Sequence, residues 1–177
     1  MKWITSRDSW AFIFASYLPR LALCSVIWEI IQLPLYTLWA EPHWQALVFP
    51  ILHCSVGDII IGGLSLSIAL TLDAAEKPSS WPANRICIWT IVLALSYTVF
   101  SERMNLAKGN WSYSAYMPIL PWLNVGLAPL AQWIVVPLLT CCLSMIKQIN
   151  DGDYFFAPRT KSVVARRSTA LAAPNPH

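Results

Sequence analysis

Residues 48–72 read VFPILHCSVGDIIIGGLSLSIALTL, with Asp58 as the one formally charged side chain. A helix needs about 20 mostly apolar residues to cross a hydrocarbon core, and this stretch is long enough. Gly57, Gly62 and Gly63, with Ser55, Ser65 and Ser67, recur along it. Small residues let helix backbones approach closely inside a bilayer, so this helix is expected to pack centrally against its neighbours. Three more windows of similar character lie at about 18–39, 86–106 and 122–146. The sequence therefore predicts an all-α polytopic membrane protein with four transmembrane helices in a domain spanning 18–146. Pro118, Pro121, Pro129 and Pro137 punctuate the last window, which predicts a tilted or broken helix, or a half-buried lead-in segment.

Composition agrees. The chain has 177 residues, 56% hydrophobic and 12% charged, and its mean hydropathy is +0.52. A soluble domain carries about 25% charged residues. Thirteen prolines and ten tryptophans exclude a Leu/Ala-rich coiled coil. The balance also excludes a disordered chain, a nucleic-acid-binding domain and a disulfide miniprotein. The five cysteines, Cys24, Cys54, Cys87, Cys141 and Cys142, fall within the windows without C-x-x-C spacing and read as packing residues.

The positive-inside rule sets orientation. With both termini cytoplasmic, the inside holds Lys2, Arg7, Arg20, Lys77, Arg85, Lys147, Arg159, Lys161, Arg166 and Arg167. The outside holds Arg103 and Lys108, which accounts for all 12 basic residues. Leu38 is too large for a small-x-small cleavage site, so the first span is expected to remain uncleaved. Residues 1–17, with Trp3, Trp10, Phe12 and Phe14, read as a cytoplasmic, interfacial lead-in. Trp39 and Trp44 are expected in an outer aromatic belt, Trp81 and Trp89 in an inner one. Residues 147–177 read as a cytoplasmic, disordered tail, Ala/Ser/Arg/Pro-rich from Asp151 onward.

Two strings resemble each other. Tyr36-Thr37-Leu38-Trp39-Ala40-Glu41 closes the first window and Tyr97-Thr98-Val99-Phe100-Ser101-Glu102 the third. Pro50-Ile51-Leu52 before Val56-Gly57 is echoed by Pro118-Ile119-Leu120 before Val125-Gly126. Duplication of a helix pair would give a 2+2 parallel repeat about the membrane normal, with Glu41 and Glu102 as counterparts. Chance similarity within a restricted alphabet is the competing reading.

Charges in a span cost roughly 2.5–3.5 kcal/mol each on insertion scales. Glu29, His53, Asp58 and Glu102 are thus the acid–base candidates. At about 1.5 Å per residue, Glu29, Asp58 and Gln132 each fall about 15 Å below the outer surface, as one layer near the midplane. Gln32 and His53 lie higher, and Glu102, Asn105 and Asn110 at the outer rim. Gln32, Tyr36, Asn105, Trp111, Tyr113 and Gln132 are the candidate substrate-binding residues of this outward-biased column. His53 and Asp58, five residues apart, point about 140° away from each other on a regular helix. Low dielectric disfavours the charged form of a carboxyl, which suits Glu29 or Asp58 to general acid work or proton carriage. The bland alternative is a carboxyl bonded to a neighbouring helix. Two axial histidines for a haem are not available within the spans. No H-x3-H or H-E-x-x-H spacing marks a metal site, so no metal is expected and any cofactor stays unknown. The segment 105–117 reads either as a surface anchor or as a lid on the column, and Asn110-Trp111-Ser112 matches a glycosylation sequon.

The strings Trp28-Glu29-x-x-Gln32, His53-Cys54-x3-Gly57-Asp58, Glu102-x-x-Asn105, Trp111-x-Tyr113-x3-Met117-Pro118 and Pro129-x-x-Gln132-Trp133 resemble small four-helix bacterial inner-membrane proteins without an assigned activity. A fainter similarity is to membrane-embedded isoprenoid and carotenoid enzymes such as heteromeric lycopene cyclases, which also place carboxylates in short hydrophobic helices. Their Pro-x-Glu-Glu type motif is absent here.

Two functional classes follow. One is a polar intramembrane pocket, open toward the outer side, for acid–base chemistry on or binding of a lipid-soluble, isoprenoid- or quinone-like substrate. The other is a non-enzymatic assembly or small transporter subunit, in which Glu29, His53, Asp58 and Glu102 pair helices or couple protons. Expected partners are the lipid bilayer, a lipid-soluble ligand, and either a second copy or a membrane partner subunit; no nucleic acid is expected. The expected location is the bacterial inner membrane.

Overall fold

The computed structural model describes residues 2–73, 78 and 81–151, with side chains described through residue 140. Of the tail expected at 147–177, residues 147–151 belong to the last helix, and the rest, with most of the 73–81 connection, lies outside the described residues. The fold is mostly helical. Three helical stretches are long and apolar enough to cross a membrane: Arg7–Leu35, Trp44–Leu72 and Ala83–Lys108. A shorter apolar helix covers Leu127–Thr140.

The first stretch begins earlier and ends sooner as α-helix than its sequence window. After α1 (Lys2–Thr5), helix α2 (Arg7–Phe12) is capped by the Ser6 hydroxyl, which accepts from the Ser9 N–H. A π turn at Ile13–Tyr17 joins α2 to α3 (Leu18–Gln32). The wide turn falls just before Pro19, whose ring has no N–H for the regular ladder. Residues 7–17 therefore run on helically into α3. At the far end Pro34 disfavours helix at the residue before it. The chain tightens into a 3-10 turn at Leu33–Leu35, extends at Tyr36, and makes a second 3-10 turn at Thr37–Ala40. The expected helix to Trp39 thus stops at Gln32.

Helix α4 (Trp44–Leu72) runs through Pro50 and its glycines. Helix α5 (Ala83–Lys108) ends at Gly109, which adopts φ 70°, and Asn110 N–H reaches back to Asn105 O at 3.0 Å. Glycine takes this left-handed position without a Cβ clash, closing the helix end. The Pro118–Gly126 segment is a small antiparallel hairpin, β1 (Ile119–Leu120) against β2 (Val125–Gly126), with Asn124 at φ 54° in its turn. Helix α6 (Leu127–Asp151) starts only after it. The fourth window therefore contains a folded lead-in, and Gln132 sits five residues into its helix.

Packing orders the four helices as a ring: α3 contacts α4 and α6, and α5 contacts the same two. The inward faces are polar or small at helical spacing. Ser25, Glu29 and Gln32 are buried on α3; Ser55, Asp58, Gly62 and Ser65 on α4; Thr90, Ala94, Thr98 and Glu102 on α5; Gln132, Val136 and Thr140 on α6. The outward faces are apolar. On α4 alone, Phe49, Leu52, Val56, Ile60, Leu64, Ile68 and Leu72 form one exposed stripe. In water such a surface would be an aggregation liability; against lipid tails it costs nothing, and small or polar inner faces supply helix association.

The two ends differ. At the lower end, where α4 finishes and α5 begins, Trp3, Ile13, Tyr17, Leu21, Leu66, Leu70, Trp81 and Ile86 form a packed apolar cluster. Trp3 Nε1 donates to Thr71 Oγ1 at 3.3 Å, and Trp81 meets Phe12 edge-on at 5.4 Å. Trp3 of the expected lead-in and Trp81 of the expected inner belt are thus buried seals, whereas Trp10 and Trp89 are exposed. Arg85 pairs with Asp73 across this end. At the upper end, Trp39, Trp44, Tyr116 and Trp122 are all more than half exposed.

The similar strings do not share a local structure. Tyr36–Glu41 is an extended residue followed by a 3-10 turn, whereas Tyr97–Glu102 lies inside α5. The Pro50 string is helical and the Pro118 string is the hairpin. Glu41 is exposed and Glu102 is buried.

Candidate functional site

The inward faces of α3, α4 and α5 part toward the upper end around a cavity of about 580 Å³. Its wall includes Glu29, Gln32, Tyr36, His53, Asp58, Glu102, Asn105, Trp111 and Gln132. Nine of the ten acid–base and binding candidates therefore meet in one place. Tyr113 is not in the wall and acts behind it.

The carboxyl groups are held by named donors. Gln32 Nε2 donates to Glu29 Oε1 at 2.8 Å, one turn along α3. Trp28 Nε1 donates to Gln32 Oε1 at 3.0 Å, which fixes the amide so that its NH2 points at Glu29. Across the ring diagonal, Gln132 Nε2 donates to Asp58 Oδ2 at 2.5 Å. Gln132 also lies against Glu29, so one amide sits between both carboxyls. Ser25 neighbours Asp58, but its buried hydroxyl does not complete a hydrogen bond. Glu29 and Asp58 are close enough to repel when both are charged. That pairing places α3, α4 and α6 around one acidic centre.

The third carboxyl belongs to the upper rim. Glu102 Oε2 accepts from Tyr113 O–H at 2.5 Å and from Trp111 Nε1 at 3.4 Å. The Tyr113 oxygen in turn accepts from Gly126 N–H at 2.9 Å. Burial, then the Glu102 carboxylate beside it, raises the Tyr113 phenol above its ordinary value of 10.0, so Tyr113 remains a donor at neutral pH. Burial likewise raises Tyr36, with the Glu102 charge as the next cause. Asn105 donates to Ser101 O at 2.8 Å and accepts from Asn110 Nδ2 at 2.6 Å.

A two-segment clasp covers this rim. Tyr36 pairs with Tyr113 in an antiparallel bridge, their rings 5.5 Å apart. Thr37 N–H donates to Ser112 O at 3.0 Å, and Ser114 N–H to Leu35 O at 2.9 Å. The Thr37 and Ser112 hydroxyls share a further bond at 2.8 Å. The backbone groups freed where Pro34 ends α3 are thus bonded by the loop after α5. Trp111 and Tyr113 point down to Glu102, whereas Tyr116 is exposed. The 109–117 segment therefore divides its aromatics between lid and surface.

His53 does not join the carboxyl cluster. It is exposed and stacks on Phe49 at 5.6 Å, and it borders the same cavity as Asp58, which is buried five residues further along α4. The five-residue spacing accounts for this. Below the polar groups the cavity wall becomes apolar, with Ile60, Leu64 and Ile68 of α4 and Leu93 of α5. Ile60, Leu64 and Ile68 also belong to the exposed stripe, so the cavity opens sideways between α4 and α5.

Other wall residues were not among the sequence candidates: Cys54, Ser65, Tyr97, Thr98, Ser101 and Trp133. The signal that could have found Thr98 is its four-residue spacing from Glu102, which puts both on one helix face. The Gly126 N–H donor has no side-chain signal. Among the described residues no three His, Cys, Asp or Glu side chains converge as metal ligands. No protein-family model, curated protein or solved structure matches this chain.

Proposed function

We propose that this protein is a four-span membrane protein that binds a lipid-soluble, isoprenoid- or quinone-like molecule and performs acid–base chemistry on its polar end. The observation that carries the reading is the shape of the cavity. Carboxyls from three helices line its closed end, and lipid-facing apolar residues line its open side. A molecule dissolved in the bilayer reaches such a site laterally, tail last, without crossing water.

In this reading one of Glu29 and Asp58 gives a proton to the polar end of the substrate, and the other removes one. Gln132 holds the two carboxyls in register. Glu102, fixed by Tyr113 and Trp111, is the rim group through which protons exchange with the upper side. His53 serves the mouth and not the proton transfer.

The upper end faces outward, with both termini cytoplasmic in a bacterial inner membrane. Arg103 and Lys108 lie at the upper end, while Lys2, Arg7 and Arg20 belong to the lower half, the asymmetry expected of the positive-inside rule.

The test is native mass spectrometry of protein purified in mild detergent. A lipid-soluble molecule should travel with the wild type and be depleted from Glu29→Gln and Asp58→Asn. Recovery of a stoichiometric protein partner instead, with no bound small molecule and no effect of either substitution, would favour the assembly-subunit reading.

A further inference from the structure

The cavity has a charge character that restricts what it holds. Glu29, Asp58 and Glu102 line it from three helices, and among the described residues no lysine or arginine does. The nearest cations at this end, Arg103 and Lys108, are exposed on the outside of α5. In a low-dielectric wall a phosphate or carboxylate head would face three carboxyls, with His53 the one basic side chain among the described lining residues, at a cost that grows as water is excluded. A positive head gains from each carboxyl that is ionised, and can still donate to the bare oxygen of one that is protonated. Tyr36, Tyr97, Trp111 and Trp133 add aromatic rings to the same wall, and aromatic faces attract desolvated cations.

A second observation points to a ligand and not merely to an acidic cluster. Thr98 lines the cavity at 7% exposure, and its hydroxyl has no hydrogen-bond partner among the described residues. Thr90, two turns earlier on α5, bonds back to Ile86 O at 2.8 Å. A hydroxyl buried in a cavity wall without a partner is costly, and a polar head bound beside it is one way to offset that cost.

We infer that the cavity selects amphiphiles whose polar end carries or develops positive charge, such as a long-chain amine, and rejects anionic heads. The inference rests on the cavity being a ligand site. Within that reading it turns the substrate class away from prenyl phosphates, fatty acids and phospholipids. It favours neutral substrates that pass through a cationic state, for which an amine is a stable mimic.

The test uses the full chain in phosphatidylcholine nanodiscs. Palmityl amine, palmityl alcohol and palmityl phosphate share one tail and differ only in head charge. Binding per protein is read by native mass spectrometry after subtraction of empty nanodiscs. The amine should bind at least about tenfold more tightly than either other probe. Glu29→Gln and Asp58→Asn, which keep shape and hydrogen-bonding oxygens, should each weaken the amine by about tenfold and spare the alcohol. Glu41→Gln, at an exposed carboxyl outside the cavity, should change nothing. Phosphate binding as tight as amine binding, or amine binding indifferent to both substitutions, overturns the charge preference alone. If none of the three probes binds, the ligand-site reading falls with it.

Discussion

Replacing Gln132 by leucine tests whether the acidic centre is held across the helix ring. Gln132 and Asp58 stand on α6 and α4, which face each other diagonally, and their bond is 2.5 Å between side chains that are 3% and 7% exposed. Leucine keeps the bulk and removes the donor. Hydrogen bonds to charged groups contribute about 1.5–3 kcal/mol in soluble interiors. Interhelical bonds inside bilayers average only about 0.6 and reach about 1.7 kcal/mol, because the separated helices find other partners. Asp58 lies at the upper part of the membrane range, since the neighbouring Ser25 hydroxyl does not complete a substitute bond. The expected loss is therefore about 1.5 kcal/mol. For a chain of this size that lowers the midpoint by about 3–6 °C. The assay is thermal unfolding in detergent by tryptophan fluorescence, all variants at one scan rate. Asp58→Leu should cost less, because the Gln132 amide it leaves behind is neutral and still lies against Glu29. In the Asp58→Leu background, Gln132→Leu should cost less than in wild type, with only its contact to Glu29 left to lose, giving a coupling of about 1 kcal/mol. Additive costs, with coupling below about 0.3 kcal/mol, would refute the diagonal tie.

Gly62→Ala should destabilise by about 1–3 kcal/mol, because a Cβ there would run into the fully buried Leu21 side chain. Gly57→Ala, where a Cβ meets open space, should shift the same melt by less than about 1 kcal/mol, toward stability through helix propensity. Tyr113→Phe removes the donor to Glu102 and the acceptor for Gly126 N–H. It should cost about 1–2 kcal/mol and move Trp111 emission to the red as the rim opens. Alkaline melts give a further check. The folded Tyr113 phenol titrates above its ordinary 10.0, chiefly through burial, so its contribution is whole below about pH 10 and declines as pH rises beyond it. A series from about pH 9 to 12 should show a shallower decline in Tyr113→Phe than in wild type, and equal slopes would contradict the buried phenol.

The parts of this fold that follow helical periodicity were legible in the sequence, and those decided by non-local pairing were not. Glu29 and Gln32 share a face at three-residue spacing, and they are bonded. Five residues of helix turn His53 away from Asp58, and the structure leaves His53 exposed where Asp58 is buried. Residue counting placed Gln132 by assuming helix from Trp122. The hairpin occupies that length, yet Gln132 still reaches Asp58 because the hairpin, not helical rise, sets where α6 begins. Hydropathy alone could not end α3 at Gln32, since Leu33, Leu35 and Leu38 are as apolar as what precedes them. The deciding element is the loop 112–114, roughly 75 residues away, which bonds the backbone that Pro34 releases. The buried Trp3 and Trp81 were likewise invisible to composition. A tryptophan near a span end suits an interface or a seal equally until its neighbour is known.

The asymmetry of the two ends bears on how such a site is reached. At the lower end, aromatic and aliphatic side chains from α1, α3, α4 and α5 pack together across the ring. At the upper end, the Tyr36–Tyr113 bridge and the Thr37–Ser112 bonds close it with backbone. A path along the helix axis would have to break one closure or the other. The side between α4 and α5 needs neither, because Ile60, Leu64 and Ile68 already stand both in the cavity wall and on the exposed face. Bulk added there should therefore obstruct binding without touching the carboxyls. Leu64→Trp fills the portal at a position whose outer face is open. It should lower the on-rate of a membrane-dissolved probe while leaving the melting midpoint within about 1 °C, since substitutions on an exposed face change stability little. An unchanged on-rate in Leu64→Trp, together with a faster one in Tyr113→Phe, would place the route through the upper clasp instead.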